Sequence, residues 1–552
     1  MRTIDRRLGL IFCGFLLLFS FALARAFWIQ GVQGGELRAE ARTQQVTALE
    51  VPGDRGRVLD RNGKVLAVSE DAATVVATPY QVKDPELAAE RLSEVLPVTR
   101  TEVAEALSDR ESGFAYIAKK VSLAEADAAL ELNIDGISTL PDSRRNYPQG
   151  ELAAQVIGAV NAENEGLTGL EQSLDDVVRG EDGEQEVIHD ARGEPIRFET
   201  LQESSSGEDV RLTIDAAIQD KAEEAITAAG ETYSARGASA VVMDPDTGDV
   251  LAMANWPGFD PAGLEQATTE QLLNRGTGFT YEPGSTFKAF TVAAALEEGL
   301  VTPDTSFHLP STLQVADREI TEAHARPPID ATVAQILAQS SNVGAVTIGL
   351  QVGAERFDRW IRRFGFGAPT DVGFPGEEQG LVLDLGEYSG STMGNLPLGQ
   401  GLSVTPMQMA SAYAAIADDG ILRTPRLVAR VGNEKRARDG EGTRVISAAT
   451  AAQVRTMLEG VVEAGGTASE VEVPGYQLAG KTGTAEKAEN GGYSETDYVA
   501  SFVGFAPAED PELLVAVIVD EPLYEHSGGA VAAPVFGEIA SFALPYLGIS
   551  PG

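Results

Sequence analysis

Three short stretches of the 552-residue chain carry side chains suited to nucleophilic chemistry. The first is Glu282-Pro283-Gly284-Ser285-Thr286-Phe287-Lys288. Pro-Gly breaks the chain, an Ala-rich run begins at once, and Gly299 follows at the distance of a C-cap. Ser285 is therefore predicted at the amino end of a helix, with Lys288 one turn later on the same face. A serine hydroxyl is a weak nucleophile until a nearby base takes its proton. A lysine serves as that base when desolvation or neighbouring cations lower its pKa. The helix terminus also favours developing negative charge. Taken alone, the same residues read more readily as a serine N-cap followed by a surface lysine, since Ser-x-x-Lys occurs by chance in most long proteins.

The second stretch, Ser340-Ser341-Asn342, interrupts two helical runs, 333–338 and 343–351. Its hydroxyl can relay a proton, and its amide can orient a lysine or bind a substrate carbonyl. An ordinary helix cap is the competing reading. The third is Lys481-Thr482-Gly483-Thr484, at the end of a strand-like run from Gln477. Gly483 allows a substrate backbone to approach a strand edge. Lys481 supplies positive charge, and the threonine hydroxyls can hold a carboxylate. An extended peptide could add along such an edge.

Other chemistries find less support. Residues 475–482 fit the nucleotide-loop pattern G-x-x-x-x-G-K-[ST], but that loop needs a strand before it and a helix after it. Here Tyr476 to Ala479 read as the strand itself, and 484–492, rich in Glu, Asn and Gly, reads as a loop. Neither H-E-x-x-H nor G-x-S-x-G occurs. The single cysteine, Cys13, rules out an intrachain disulfide or a cysteine zinc site. The histidines are His189, His308, His324 and His526, a poor basis for a metal cluster. Acidic residues outnumber basic ones, 83 to 42, for a net charge of −41. That average repels a phosphate backbone and argues against nucleic acid as a partner.

The amino end sets the compartment. Leu8 to Ala24 carries no charge, and the apolar stretch extends through Ile29 if Arg25 snorkels. It is predicted to span a membrane once, with Arg2, Arg6 and Arg7 holding its start in the cytoplasm. A cleaved signal peptide ending at Ala22-Leu23-Ala24 is the alternative. In both cases the rest of the chain leaves the cytoplasm. No second stretch reads as apolar enough to span.

The elements that must position the three stretches are legible in outline. Residues 30–45 read as a polar stalk. Short strands are expected over 51–68, with a tight hairpin at Asn62-Gly63. Helices are expected over 84–107, 123–132 and 216–229, and a loop-rich β region over 166–207. From about Arg236, a hairpin of 238–243 and 250–255 is followed by helices at 286–298, 333–338, 343–351 and 406–417. Late strands follow at 477–484, 500–505 and 513–519. This order implies an α+β domain with an antiparallel sheet flanked by helices.

Ser-x-x-Lys, then Ser-x-Asn, then Lys-Thr-Gly, in that order, resembles the signature of penicillin-binding proteins and serine β-lactamases. Ser340 follows Ser285 by 55 residues, and Lys481 follows Ser340 by 141. Residues 241–255 and 399–408 resemble further segments of the transpeptidase domain. Arg55-Gly56, Asp60-Arg61-Asn62-Gly63, Arg145 with Tyr147-Pro148, and Gly169-Leu170-Glu171 resemble the amino-terminal module of the class B, monofunctional type.

The resemblance implies a D,D-transpeptidase that cross-links peptidoglycan stem peptides and binds β-lactams. Ser285 would be the nucleophile and Lys288 its base. Ser340 and Asn342 would complete the proton relay, with Lys481 also in the catalytic group. Lys481, Thr482, Gly483 and Thr484 would bind substrate. The oxyanion would lie against the backbone N–H groups of Ser285 and Thr484. No metal or organic cofactor is implied. The implied organisation is a cytoplasmic tail and anchor over 1–30, an elongated, non-catalytic α+β pedestal of the dimerisation type over 31–207, and the transpeptidase domain over 208–552. The RGxxxDRNG start looks most like the cell-division type, partnered by a multi-span septal glycosyltransferase and other division proteins. An elongation-type enzyme and a β-lactam-binding sensor or scaffold are the competing expectations.

Overall fold

The computed structural model describes residues 2–33, 35, 46–189, 195–436, 440, 442–489 and 492–551. Most of the stalk expected over 30–45 lies outside them. The described chain divides into two compact units that interleave along the sequence. One holds Met1–Asp54, Asp71–Ser143 and Gly180–Gly207; the other holds Arg55–Glu70, Arg144–Arg179 and Glu208–Gly552.

In the first unit, helix Arg2–Phe27 carries the apolar run and passes into a short π-helical turn, Trp28–Val32. Its described side chains stand exposed from Leu8 to Phe27. This is the composition and length of a single membrane span. Helices Pro85–Val95, Arg100–Ala106 and Leu123–Glu131 close on a small core that includes Val75, Leu92, Val103 and Ala129. The helix expected over 84–107 is thus two. Pro97 cannot continue the first, and Thr99 starts the second with a capping box to Glu102.

The second unit is built on a five-stranded antiparallel sheet. Its spatial order is Val250–Trp256, Gly237–Met243, Leu513–Asp520, Gly492–Ala506 and Ala479–Glu489. Strands Gly237–Met243 and Leu513–Asp520 are buried at every position, so both faces are covered. Helices Ala216–Thr232 and Ala533–Tyr546 pack together on one face, and Pro406–Ala417 covers the other.

Two expectations are corrected here. Residues 484–489, read as a loop, continue the outer strand, which pairs with the next one from Ala479↔Phe505 to Glu489↔Gly492. Cross-strand partners hold a segment too polar to announce itself. Gly528–Tyr546 is also long and apolar enough to cross a membrane. Most of it is buried against the sheet, as in a core helix.

Strands Val58–Leu59 and Val65–Ala77 flank the Asn62-Gly63 turn and pair antiparallel, as expected, but the second is 13 residues long and runs past the short strands expected over 51–68. Part of the 166–207 region, expected to be loops and strands, is helical at Gly169–Ser173 and Asp175–Val178. These helices contribute to a buried charge cluster within the second unit. Arg55 donates from Nε and Nη2 to Glu171 Oε2 at 3.0 and 2.7 Å, and from Nη1 to Asp175 Oδ1 at 2.6 Å. Arg145 donates from Nε to Glu171 Oε1 at 2.7 Å and from Nη1 to the Gly56 carbonyl at 2.8 Å. The Glu171 side chain is fully buried.

Candidate active site

Ser285 lies in a 3₁₀ turn, Gly284–Phe287, that runs directly into helix Lys288–Glu297. The turn is pinned from below. Tyr413 Oη donates to the Thr286 carbonyl at 2.6 Å, and the Thr286 hydroxyl donates to the Pro283 carbonyl at 2.7 Å. Phe287 and Phe290 pack into an aromatic group with Phe364, Phe366 and Tyr413, at ring separations of 4.9 to 5.4 Å. Behind the turn, the Gly284 N–H donates to the Gly399 carbonyl at 3.0 Å. Gly399 has φ of +78°, and a Cβ there would lie 2.2 Å from the Gly284 carbonyl oxygen, so only glycine fits.

The helix then carries Lys288 into the interior, where it is 1% exposed. Its Nζ donates to the Ser340 carbonyl at 2.6 Å and to Asn342 Oδ1 at 2.6 Å, and lies 3.2 Å from Ser340 Oγ. Burial pushes its pKa down to about 7, opposed by the Glu322 carboxylate. A neutral amine suits these neighbours. Two N–H bonds serve the two carbonyl-type oxygens, which leaves a lone pair able to accept a proton.

Ser340 itself has φ of +58°. A non-glycine residue held in that region carries strain of about 1–3 kcal/mol, the kind found at functional sites. It links helix Val333–Ala338 to helix Asn342–Val352. Ser341 caps the second helix by accepting from the Gly344 N–H at 3.0 Å.

The third stretch lies on the outer strand of the sheet and packs against the serine turn. A Cβ on Gly483 would meet the Pro283 carbonyl and Thr286 Cγ2, each at 3.0 Å; one on Gly284 would meet the Thr484 carbonyl at 3.3 Å. Lys481 is fully buried, with Nζ 3.2 Å from the Thr482 carbonyl. Burial, and then the charge of Lys288, hold its pKa well below the ordinary lysine value. Thr482 Oγ1 lies 2.6 Å from Thr467 Oγ1, and Thr484 Oγ1 accepts from the Gly528 N–H at 3.0 Å. Thr484 thus keeps its own proton for donation. Ser285, Lys288, Ser340, Asn342 and residues 481–484 therefore meet in one place, although they span nearly 200 residues of chain.

The residues 238–541 match the family described as "Penicillin binding protein transpeptidase domain". The chain belongs to the penicillin-binding proteins. Residues 50–212 match the "Penicillin-binding Protein dimerisation domain", which makes this a class B penicillin-binding protein of the two-domain kind. It is 33% identical over 555 residues to the "Probable peptidoglycan D,D-transpeptidase PenA" of Neisseria meningitidis, covering 100% of this chain and 94% of that protein. It is 32% identical to the "Peptidoglycan D,D-transpeptidase FtsI" of Escherichia coli, covering 98% and 92%. Among solved structures, penicillin binding protein 3 of Mycobacterium tuberculosis, complexed with aztreonam, aligns with a TM-score of 0.71 at 32% identity, covering 91% of this chain and 98% of that one.

Several neighbours of this penicillin-binding protein's site escaped the sequence reading. Glu322 accepts from Ser341 Oγ and from the Asn342 N–H, both at 2.6 Å. Glu282, the first residue of the serine stretch, accepts from the Gly401 N–H at 3.0 Å; burial raises its pKa. Thr467 and Gly528, which support the two threonines, gave no signal either. His526 stacks on Tyr498 at 4.1 Å, and His308 pairs with Asp330 at the surface.

Proposed function

We propose that this chain cross-links peptidoglycan stem peptides as a D,D-transpeptidase, through an acyl-enzyme on Ser285. The convergence of the three stretches around a buried, low-pKa lysine carries this reading. The neutral Lys288 amine takes the Ser285 proton as Oγ attacks the carbonyl of the penultimate D-alanine. The backbone N–H groups of Ser285 and Thr484 stabilise the tetrahedral oxyanion. Lys481, Thr482 and Thr484 hold the terminal carboxylate, and Gly483 leaves room for the peptide. The C–N bond breaks, the returning proton passes to the leaving amine, and D-alanine departs. The amine of a second stem peptide then attacks the ester and restores Ser285. Ser340, against Lys288 Nζ, relays the proton, and Asn342 orients the amine.

β-Lactams enter the same path by offering a strained amide to Ser285. The anchor over 1–30, the pedestal over 31–207 and the catalytic domain over 208–552 fit an enzyme held on the outer face of the cell membrane. The names of relatives such as FtsI support a septal role beside a multi-span glycosyltransferase. Incubation with a fluorescent penicillin, followed by peptide mass spectrometry, is expected to find the adduct on Ser285. A donor and an acceptor stem peptide together are expected to give cross-linked dimers. Labelling elsewhere, or release of D-alanine without dimers, would sink this function.

A further inference from the structure

The turn that presents Ser340 and Asn342 is held from outside the three stretches. Glu322 follows strand Arg318–Thr321 and reaches the turn with both carboxylate oxygens. Oε1 accepts from Ser341 Oγ and Oε2 from the Asn342 N–H, each at 2.6 Å. The preceding carbonyl, of Thr321, accepts from Asn342 Nδ2 at 2.8 Å and so sets which amide oxygen faces Lys288. The carboxylate is itself tethered by Arg326 Nη2 at 2.5 Å, and Arg326 Nη1 also donates to the Leu309 and Pro310 carbonyls.

The Glu322 side chain is 8% exposed. It stands at the positive end of helix Asn342–Val352, where it satisfies a backbone donor that the helix leaves unpaired. Charged groups set around Lys288 are Lys481 from the outer strand, Glu322, and Arg326 beyond it. Burial disfavours the protonated amine, and the Glu322 carboxylate favours it.

We propose that Glu322 is a positioning residue for Lys288: its carboxylate locks the Ser340–Asn342 turn whose oxygens surround the amine, and sets a negative charge against that amine. The proposal rests on the acylation reading above and adds to it the group that tunes the base. Removing the charge destabilises the protonated amine. The free base then persists to lower pH, and the acid limb of the acylation profile moves down with it.

The test is the second-order rate of acylation by a fluorescent penicillin from about pH 5 to about pH 9, with adduct mapping and thermal melting alongside. Glu322→Gln keeps the shape and removes the charge. It is expected to label Ser285 about tenfold more slowly, with the acid limb displaced downward by about half a pH unit or more. Glu322→Asp keeps the charge and shortens the reach. It is expected to be slowed with its limb where the wild type has it. A Glu322→Gln protein with the wild-type profile, or one slowed with an unmoved limb, overturns the proposal. Should that variant fail to fold, Glu322→Asp decides: a wild-type rate there also overturns it. Failure of the wild-type protein itself to label on Ser285 would instead remove the underlying transpeptidase reading.

Discussion

Lys288→Met is expected to slow acylation of Ser285 by penicillin about a thousandfold, within the roughly 10²–10⁴-fold span of general-base catalysis. The methionine fills a similar volume, so the fold should survive while the proton acceptor is lost. In the wild type the rate should rise with pH through about 7, as Lys288 sheds its proton. The variant's residual rate should lack that limb. The same substitution reports on stability. Folding lowers this lysine's pKa from 10.5 to about 7. Between those values the unfolded chain binds more protons than the native one, so the wild type gains stability as pH rises across that window. Below about pH 7 both states are protonated, and the full penalty of burying the cation, a few kcal/mol, is present. Loss of the amine's donors to Ser340 and Asn342 offsets part of what the variant recovers. Denaturant titrations at several pH values should therefore show the wild type gaining on Lys288→Met from about pH 7 to about pH 10. A constant difference would mean that the amine is not held in its low-pKa state.

The second large effect lies far along the chain from the chemistry. Glu171→Ala should cost about 3–5 kcal/mol of stability, because it leaves Arg55 and Arg145 buried without their shared counter-charge. Asp175 still pairs with Arg55, through a carboxylate that is 27% exposed, but Arg145 loses its ion pair. The midpoint of denaturant unfolding of the full chain, followed with penicillin labelling of what remains folded, measures this. A shift below about 1 kcal/mol would show that water or rearrangement replaces the carboxylate. Glu171→Gln is expected to fall between the two, since it keeps acceptor and volume but not charge.

Much of the catalytic unit was readable because its signals are local. Helix Pro406–Ala417 is bounded as expected, since Thr405 caps it, Gln408 completes the box and Pro406 sits at the first turn. The hairpin of 238–243 and 250–255 needed only two apolar runs and a turn. The outer strand beyond Thr484 was missed because its residues are polar and its evidence lies on the partner strand. Glu322 was missed for a related reason. Its partners are 19 and 20 residues away, beyond strand Ile329–Thr332 and helix Val333–Ala338, and no spacing rule singles out one acid among 83 acidic residues. Arg55, Arg145 and Glu171 were visible as motif residues, but not that they meet, with separations of up to 116 residues. Nor did their position in the amino-terminal third suggest that they share a compact unit with the catalytic residues.

Two lysines buried side by side, each with depressed proton affinity, also make the resting cleft a latent sink for hydrogen ions. A carboxylate arriving beside Lys481 reverses part of that depression, so docking of an anionic ligand should draw protons from solution. Calorimetric titration of a non-acylating D-Ala-D-Ala analogue in two buffers of different ionisation enthalpy would expose that exchange as a difference in apparent heat. Equal heats in both buffers would mean that the cleft takes up its guest without touching the surrounding pH.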